Sequence, residues 1–412
     1  MQRTTNINRY LPVALLYFFF NSLFLPLGLL YTSLLAPVFL IWVYLKKRPT
    51  GLWIYLSVTM LFACIHFYNG VDARYYLQSY LILLATYIFC VAFYVFVSTV
   101  GTLRSLFKDL LIINSLFVLM ALAFLINPAL RDIVWYNNAI TNGVKDVYRL
   151  KLFTYEASYY STVLAPLVLY YWLRALIFKP PQKWLFLLMA TIPVLLSLSF
   201  GVILGIFLAI VFVYLSDLKL LIENRKAIRN IVLSAITLVL GTIILYKVSP
   251  DNVLFKRLAN VFAGQDTSFR GRTTDSFFIA WQIALKKSVL FGCGPGQIKV
   301  LGVDILKHFY RSNNYTSANT IIPNVLAETL AIYGLTGLFL RLGTEIYLFF
   351  RTRVYSNYYR LALFLFIFIY QFTGSYVTNI AEYIIWILAF NPGLFAEFNK
   401  TGVVDAASPA GR

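Results

Sequence analysis

Charge is what this sequence has least of. Only 12% of its 412 residues are Asp, Glu, Lys or Arg, where a soluble globular domain carries about a quarter. Acid is scarcer than base, 16 residues against 35, and there are two histidines and three cysteines. With so few ligating side chains, no His, Cys, Asp or Glu falls at a metal-ligand spacing, and neither metal nor cofactor is expected. Three cysteines make no disulfide framework. Cys64 and Cys90 lie in apolar stretches and read as small buried hydrophobes. The glycine cluster GCGPGQ (292–297) is a turn; it is not a Walker loop and lacks the GxGxxG spacing. No internal repeat is present.

Apolar residues fill the space that charge leaves. They make up 60% of the chain and lie in blocks: 80–99 and 230–246 contain no charge at all. About twenty uncharged residues match a hydrocarbon core of ~30 Å at 1.5 Å rise per residue. The sequence therefore predicts an all-α, polytopic transmembrane bundle of about a dozen helices. They are expected near 10–27, 29–45, 51–67, 78–99, 106–126, 156–178, 184–199, 201–216, 230–248, 321–350, 357–373 and 376–395. Arg3 and Arg9 precede a long apolar run without a cleavage signature, which reads as an uncleaved first helix.

The formal net charge of +19 would suggest nucleic acid in a soluble protein. Here the partner it implies is the lipid bilayer and its anionic headgroups, not nucleic acid. Lysines and arginines at 46–48, 104–108, 179–183, 219–229 and 351–360 fall in alternate short loops. The positive-inside rule makes that face cytoplasmic and puts both termini there. Three sections result: 1–248 with nine helices and an outer loop near 127–155, a long basic outer loop at 249–320, and 321–412 with three helices and a tail. The long loop holds nine Lys/Arg against four Asp. Long loops escape the positive-inside rule, yet the excess suggests an anion site at the outer leaflet. Within it, 273–291 predicts an amphipathic helix on the membrane surface, with 277, 278, 281, 284, 285 and 289 as its apolar face.

Three stretches carry candidate chemistry. In DTSFRGRT (266–273), Arg270 and Arg272 flank one glycine, and two guanidiniums there can converge on a phosphate. In YRLKLFTYEASYY (148–160), Arg149 and Lys151 lead to Glu156 at a helix start. An acid there serves helix electrostatics, or it accepts a proton from a hydroxyl or orients a sugar. In NTIIPNVLAETLAIYGLTGL (319–338), Asn324 and Glu328 share a helix face, and an acid inside a membrane helix is a functional candidate. Pairing of Glu328 with Arg270 or Arg272 for structure alone is the alternative. His308 lies in the basic loop, either solvated or available as a base. Glu382, in the last helix, awaits a basic partner.

Taken in order, RLKLFTYEAS, the SLSFG turn (197–201), SFRGRT followed by an amphipathic helix and FGCGPGQ, and NVLAETLAIYGLTGL resemble the O-antigen polymerase/ligase superfamily of bacterial envelope glycosyltransferases. The resemblance spans about 149–340. It implies a glycosyltransferase-C type fold in the bacterial inner membrane, with a metal-independent active site facing the periplasm. The substrates implied are undecaprenyl-pyrophosphate-linked glycans, with a chain-length regulator as partner. By position, Arg149 and Arg270 or Arg272 match the family's pyrophosphate-binding arginines. Two departures separate the chain from the ligases. Pro323-Asn324-Val325-Leu326 lacks the ligase histidine, and Ser199-Phe200-Gly201 lacks the arginine of the ligase turn. The expectation is a repeat-unit polymerase, with Glu156 and Glu328 both open as catalytic base. The alternatives are an O-antigen ligase and, in another class, a lipid-linked saccharide flippase.

Overall fold

The computed structural model describes residues 31–46, 49–99, 102–138, 147–217, 263 and 267–400. The helices expected at 10–27 and 230–248, and the first part of the long outer loop, lie outside the described residues. Those described are mostly helical. In chain order they are α1 (Tyr31–Leu34), α2 (Ala36–Leu45), α3 (Thr50–Tyr68), α4 (Ala73–Thr99), α5 (Arg104–Phe124) and α6 (Pro128–Val134). The hairpin β1 (Trp135–Asn138) and β2 (Val147–Leu150) follows, then α7 (Ala157–Ile177), α8 (Lys183–Leu196) and α9 (Phe200–Leu215). The last are α10 (Thr267–Arg272), α11 (Thr274–Leu285), α12 (Ile298–Tyr310), α13 (Val325–Arg351), α14 (Tyr358–Tyr370) and α15 (Ile380–Phe390).

Among the described residues, five helices are long and apolar enough to cross a membrane: Thr50–Tyr68, Ala73–Ser98, Arg104–Phe124, Ala157–Ile177 and Val325–Arg351. Shorter apolar helices pack among them, and the chain reads as a multi-pass membrane protein. Large apolar residues such as Ile54, Leu61, Leu119, Leu188 and Phe339 point outward, as a lipid-facing surface requires. Cys64, expected inside, belongs to this exposed surface, while Cys90 is buried.

At the centre, α7 is buried on nearly every side, and α5, α8, α9, α14 and α15 surround it in one core. A helix apolar all round has this fate. Asparagine starts three of the neighbouring helices. Asn324, Asn357 and Asn379 each cap a helix N-terminus with the side-chain oxygen, before α13, α14 and α15 respectively.

The loop at 127–155, expected on the outer side, is more structured than its polar sequence suggests. It contains α6 and an antiparallel hairpin in which Tyr136 faces Arg149. Trp135 fastens the hairpin to α5 by donating its indole N–H to the Ala121 carbonyl at 2.8 Å.

The described part of the basic loop is also folded, into α10, α11 and α12. With α13 and Leu83 of α4, α11 and α12 form a second apolar core. The helix expected on the membrane surface is α11, which packs one side into the protein and leaves the other exposed. Ser276, Ile279, Ala280, Ile283 and Ala284 are buried, whereas Phe278, Trp281 and Leu285 face outward. Small side chains let α11 approach α13 closely.

The GCGPGQ turn is the clip that holds this second core to the first. Gly334 breaks the helical geometry of α13 (φ 66°, ψ −164°), which exposes backbone groups. Residues 289–294 occupy the gap. Cys293 and Gly294 donate N–H to the carbonyls of Ala331 and Ile332, both at 2.9 Å. Leu335 and Thr336 donate back to Val289 and Leu290 at 2.9 and 3.0 Å. On the far side the turn meets α3 and α4. His66, wholly buried, bonds the Phe291 carbonyl at 2.7 Å and the Tyr76 hydroxyl at 3.2 Å. Gln297 exchanges two hydrogen bonds with the Asp72 backbone, each 2.9 Å. His66→Leu strands a buried carbonyl and a hydroxyl. It is expected to cost about 1–3 kcal/mol, read as a lower unfolding temperature in detergent.

One expected cytoplasmic-loop cation is not in a loop. Arg360 lies 2% exposed in α14. It donates to the Ala389 carbonyl (2.8 Å) and to the Thr352 carbonyl and hydroxyl (2.8 and 3.0 Å). Those carbonyls are at helix ends, where they lack intrahelical donors.

Candidate active site

A narrow cleft opens where four segments meet. It is lined by Tyr155, Glu156, Ser158 and Tyr159 at the start of α7, by Arg272 and Pro323, and by Tyr370, Ser375, Tyr376 and Asn379 from α14 to α15. Its charged centre is an ion pair. Arg272 Nη2 lies 3.4 Å from Glu156 Oε1, and the two side chains are 34% and 22% exposed.

Glu156 is the N-cap residue of α7, with extended backbone, yet its carboxylate makes no capping bond. It is turned toward Arg272 instead. Burial disfavours the Arg272 charge, but Glu156, Tyr370 and Tyr376 together more than offset this and hold the guanidinium above its usual range. The pair is partly buried and is joined by a single contact of 3.4 Å. An incoming phosphate, which offers a guanidinium two oxygens at once, is therefore able to displace Glu156.

Asn324 sets where Arg272 stands. Its Nδ2 donates to the Arg272 carbonyl and to the Phe372 carbonyl, both at 2.7 Å, while its Oδ1 accepts from Ala327 N at 2.9 Å. One buried amide thus joins the end of α10, the start of α13 and the end of α14. It is a staple behind the cleft and does not line it. Asn324→Ala removes a helix cap and leaves two carbonyls without this donor. The expected cost is about 2–4 kcal/mol, with loss of the Arg272 position, measured by thermal unfolding.

The other residues singled out from the sequence stand apart from the cleft lining. Arg270 is 55% exposed and pairs with Asp275 at 3.5 Å, so the two loop arginines have separate carboxylate partners. Tyr310 donates to the other oxygen of Asp275 at 3.2 Å. Arg149 donates Nε–H to the Ser197 carbonyl at 3.0 Å, which ties β2 to the SLSFG turn. Lys151 is half-buried, and burial pushes its ammonium below the usual lysine range, against the opposing pull of Asp132. Glu328 lies in the first turn of α13 and accepts the Val377 N–H at 2.7 Å. His308 is exposed on the last turn of α12, a helix where a loop was expected.

Behind Ser375 and Asn379 lies a polar cluster that the sequence reading left largely unread. Arg341 is in ion pairs with Glu382, at short range, and with Glu345 at 3.2 Å. Gln371 accepts from Arg341 at 3.2 Å and donates to Glu345 at 2.8 Å. Glu382 also accepts from the Ser375 hydroxyl, which in turn accepts from Asn379 Nδ2 at 2.9 Å. The available signal was three ionisable residues inside apolar helices, which demand partners.

No family model matches the chain, and no curated protein matches its sequence. Among the described residues no cluster of His, Cys, Asp and Glu has the geometry to hold a metal ion.

Proposed function

We propose that this protein is a glycosyltransferase that polymerises undecaprenyl-pyrophosphate-linked repeat units at the periplasmic face of the bacterial inner membrane. The bundle is then one of about a dozen helices of glycosyltransferase-C type, with both termini cytoplasmic and the cleft opening outward. The observation that carries the reading is the Arg272–Glu156 pair, a displaceable cation and carboxylate in a cleft lined by tyrosines.

The chemistry follows from that pair. Pyrophosphate oxygens take the Arg272 guanidinium and release Glu156. The released carboxylate removes the proton of an acceptor hydroxyl as that oxygen attacks the anomeric carbon. The bond from that carbon to the pyrophosphate oxygen breaks, and its electrons leave with the pyrophosphate. Arg272 offsets the charge growing there. Direct displacement inverts the anomeric carbon. Of the two acids that the sequence left open as base, Glu156 lines the cleft, whereas a backbone N–H already engages Glu328.

Deleting the gene in its host tests the reading on a gel of envelope glycans. The expected pattern is a cap of single repeats, with a chain-length regulator left without product to measure. Full-length polymer retained on the carrier lipid points instead to a ligase.

A further inference from the structure

Two polar side chains on the cleft wall, Ser375 and Asn379, are buried more than nine-tenths (7% and 6% exposed), and their hydrogen-bond directions are fixed from behind. Asn379 must point its oxygen at Ala381 N (3.0 Å), because that bond caps α15. Its Nδ2 is therefore the donor to Ser375 Oγ. Glu382 receives Arg341 on Oε1, and the Ser375 hydroxyl is the donor to its other oxygen. The Ser375 hydrogen is therefore committed to Glu382 Oε2.

Subtracting these bonds leaves one free valence on each residue. A hydroxyl oxygen has two lone pairs and an amide nitrogen two hydrogens. Ser375 Oγ retains one lone pair, and Asn379 Nδ2 retains one hydrogen with no protein acceptor among the described residues. One acceptor beside one donor complements a hydroxyl group, which donates once and accepts. The backbone supports a built site. Ser375 holds a left-handed φ of 72°, uncommon outside glycine and concentrated at functional positions. The tyrosines of the same cleft offer apolar ring faces with polar tips, which suits a ring that is C–H on its faces and hydroxyl at its edge.

We propose that Ser375 and Asn379 form a hydroxyl-recognising subsite for one sugar of the lipid-linked saccharide, with Glu382 and Arg341 setting its donor–acceptor polarity from behind. The proposal rests on the cleft being a saccharide-transfer site. Ser375 and Asn379 touch the sugar; Glu382 and Arg341 are positioning residues.

The test measures binding of two lipids to the full-length protein in nanodiscs. One is undecaprenyl pyrophosphate carrying the host's single repeat unit, and the other is bare undecaprenyl pyrophosphate. Asn379→Asp keeps the size of the side chain and the α15 cap but replaces the donor with an acceptor. Ser375→Gly suits the left-handed backbone and removes the hydroxyl. Wild type is expected to prefer the saccharide-bearing lipid. Each variant is expected to lose about tenfold of that preference, the size of one mispaired hydrogen bond. A wild type without the preference, or variants that keep all of it, overturns the subsite. Arg272→Gln is read separately: if it weakens neither lipid, the transferase reading of the cleft falls, whatever the preference shows.

Discussion

Arg272→Gln is expected to lower the rate of glycan chain growth by about 100- to 1,000-fold, the usual consequence of removing one charge-stabilising donor from a transition state. Arg270→Gln is expected to change it by no more than about fivefold, since Arg270 lies outside the cleft lining and a pair with one half-exposed partner contributes about 1 kcal/mol or less. The contrast comes from two neighbours on one short helix. Arg272 lines the cleft and faces Glu156, whereas Arg270 is 55% exposed and pairs with Asp275. Initial rates with purified protein and lipid-linked repeat units give both values. Equal losses in the two variants contradict the assignment, because they mean that both arginines reach the same phosphate.

Gly334→Ala is expected to be among the most damaging small substitutions in the described chain. A Cβ there would lie 2.4 Å from the Leu290 carbonyl carbon and oxygen, and φ is +66°. The clash is with backbone, so no side chain can swing away. Gly292→Ala meets the Ile332 carbonyl at 2.4 Å from the other side, also at positive φ. Either change forces residues 289–294 off the break in α13 and severs the four backbone bonds across it. The expected loss is about 3 kcal/mol or more, seen as a large drop in unfolding temperature or failure to accumulate in the membrane. Gly343 is the control on the same helix. Nothing lies within 4 Å of its Cβ position, so Gly343→Ala is expected to be neutral or stabilising by about 0.5–1 kcal/mol.

The transmembrane helices were legible because lipid imposes a length and a composition that few other settings demand. The expected spans at 51–67, 106–126 and 156–178 reappear as Thr50–Tyr68, Arg104–Phe124 and Ala157–Ile177. The second side of α11 was not legible: Ser276, Ala280 and Ala284 are small enough to pack closely on α13, while Phe278 and Trp281 of the expected apolar face stay outward. The pairing of residues 289–294 with 331–336 was illegible, since two backbone edges meet with no side-chain pattern to announce it. Arg270 and Arg272 were inseparable for a similar reason. Their spacing reads as two guanidiniums that converge on one phosphate; in the structure they meet different carboxylates, and nothing in the sequence says which one meets Glu156. Asn324 was singled out as a site residue, and its amide is a staple behind the site. Ser375 carried no sequence signal, because its meaning depends on Glu382, Arg341 and the φ of its own backbone.

The most direct test of the account follows the two ends of the lipid-linked saccharide in proteoliposomes that contain only the purified protein. The prediction is that wild type yields glycans of two and more repeats, with one undecaprenyl pyrophosphate released for each bond formed, and that Arg272→Gln yields neither. Repeat units that cross the bilayer unchanged, with no pyrophosphate lipid released, would contradict it and make the protein a flippase.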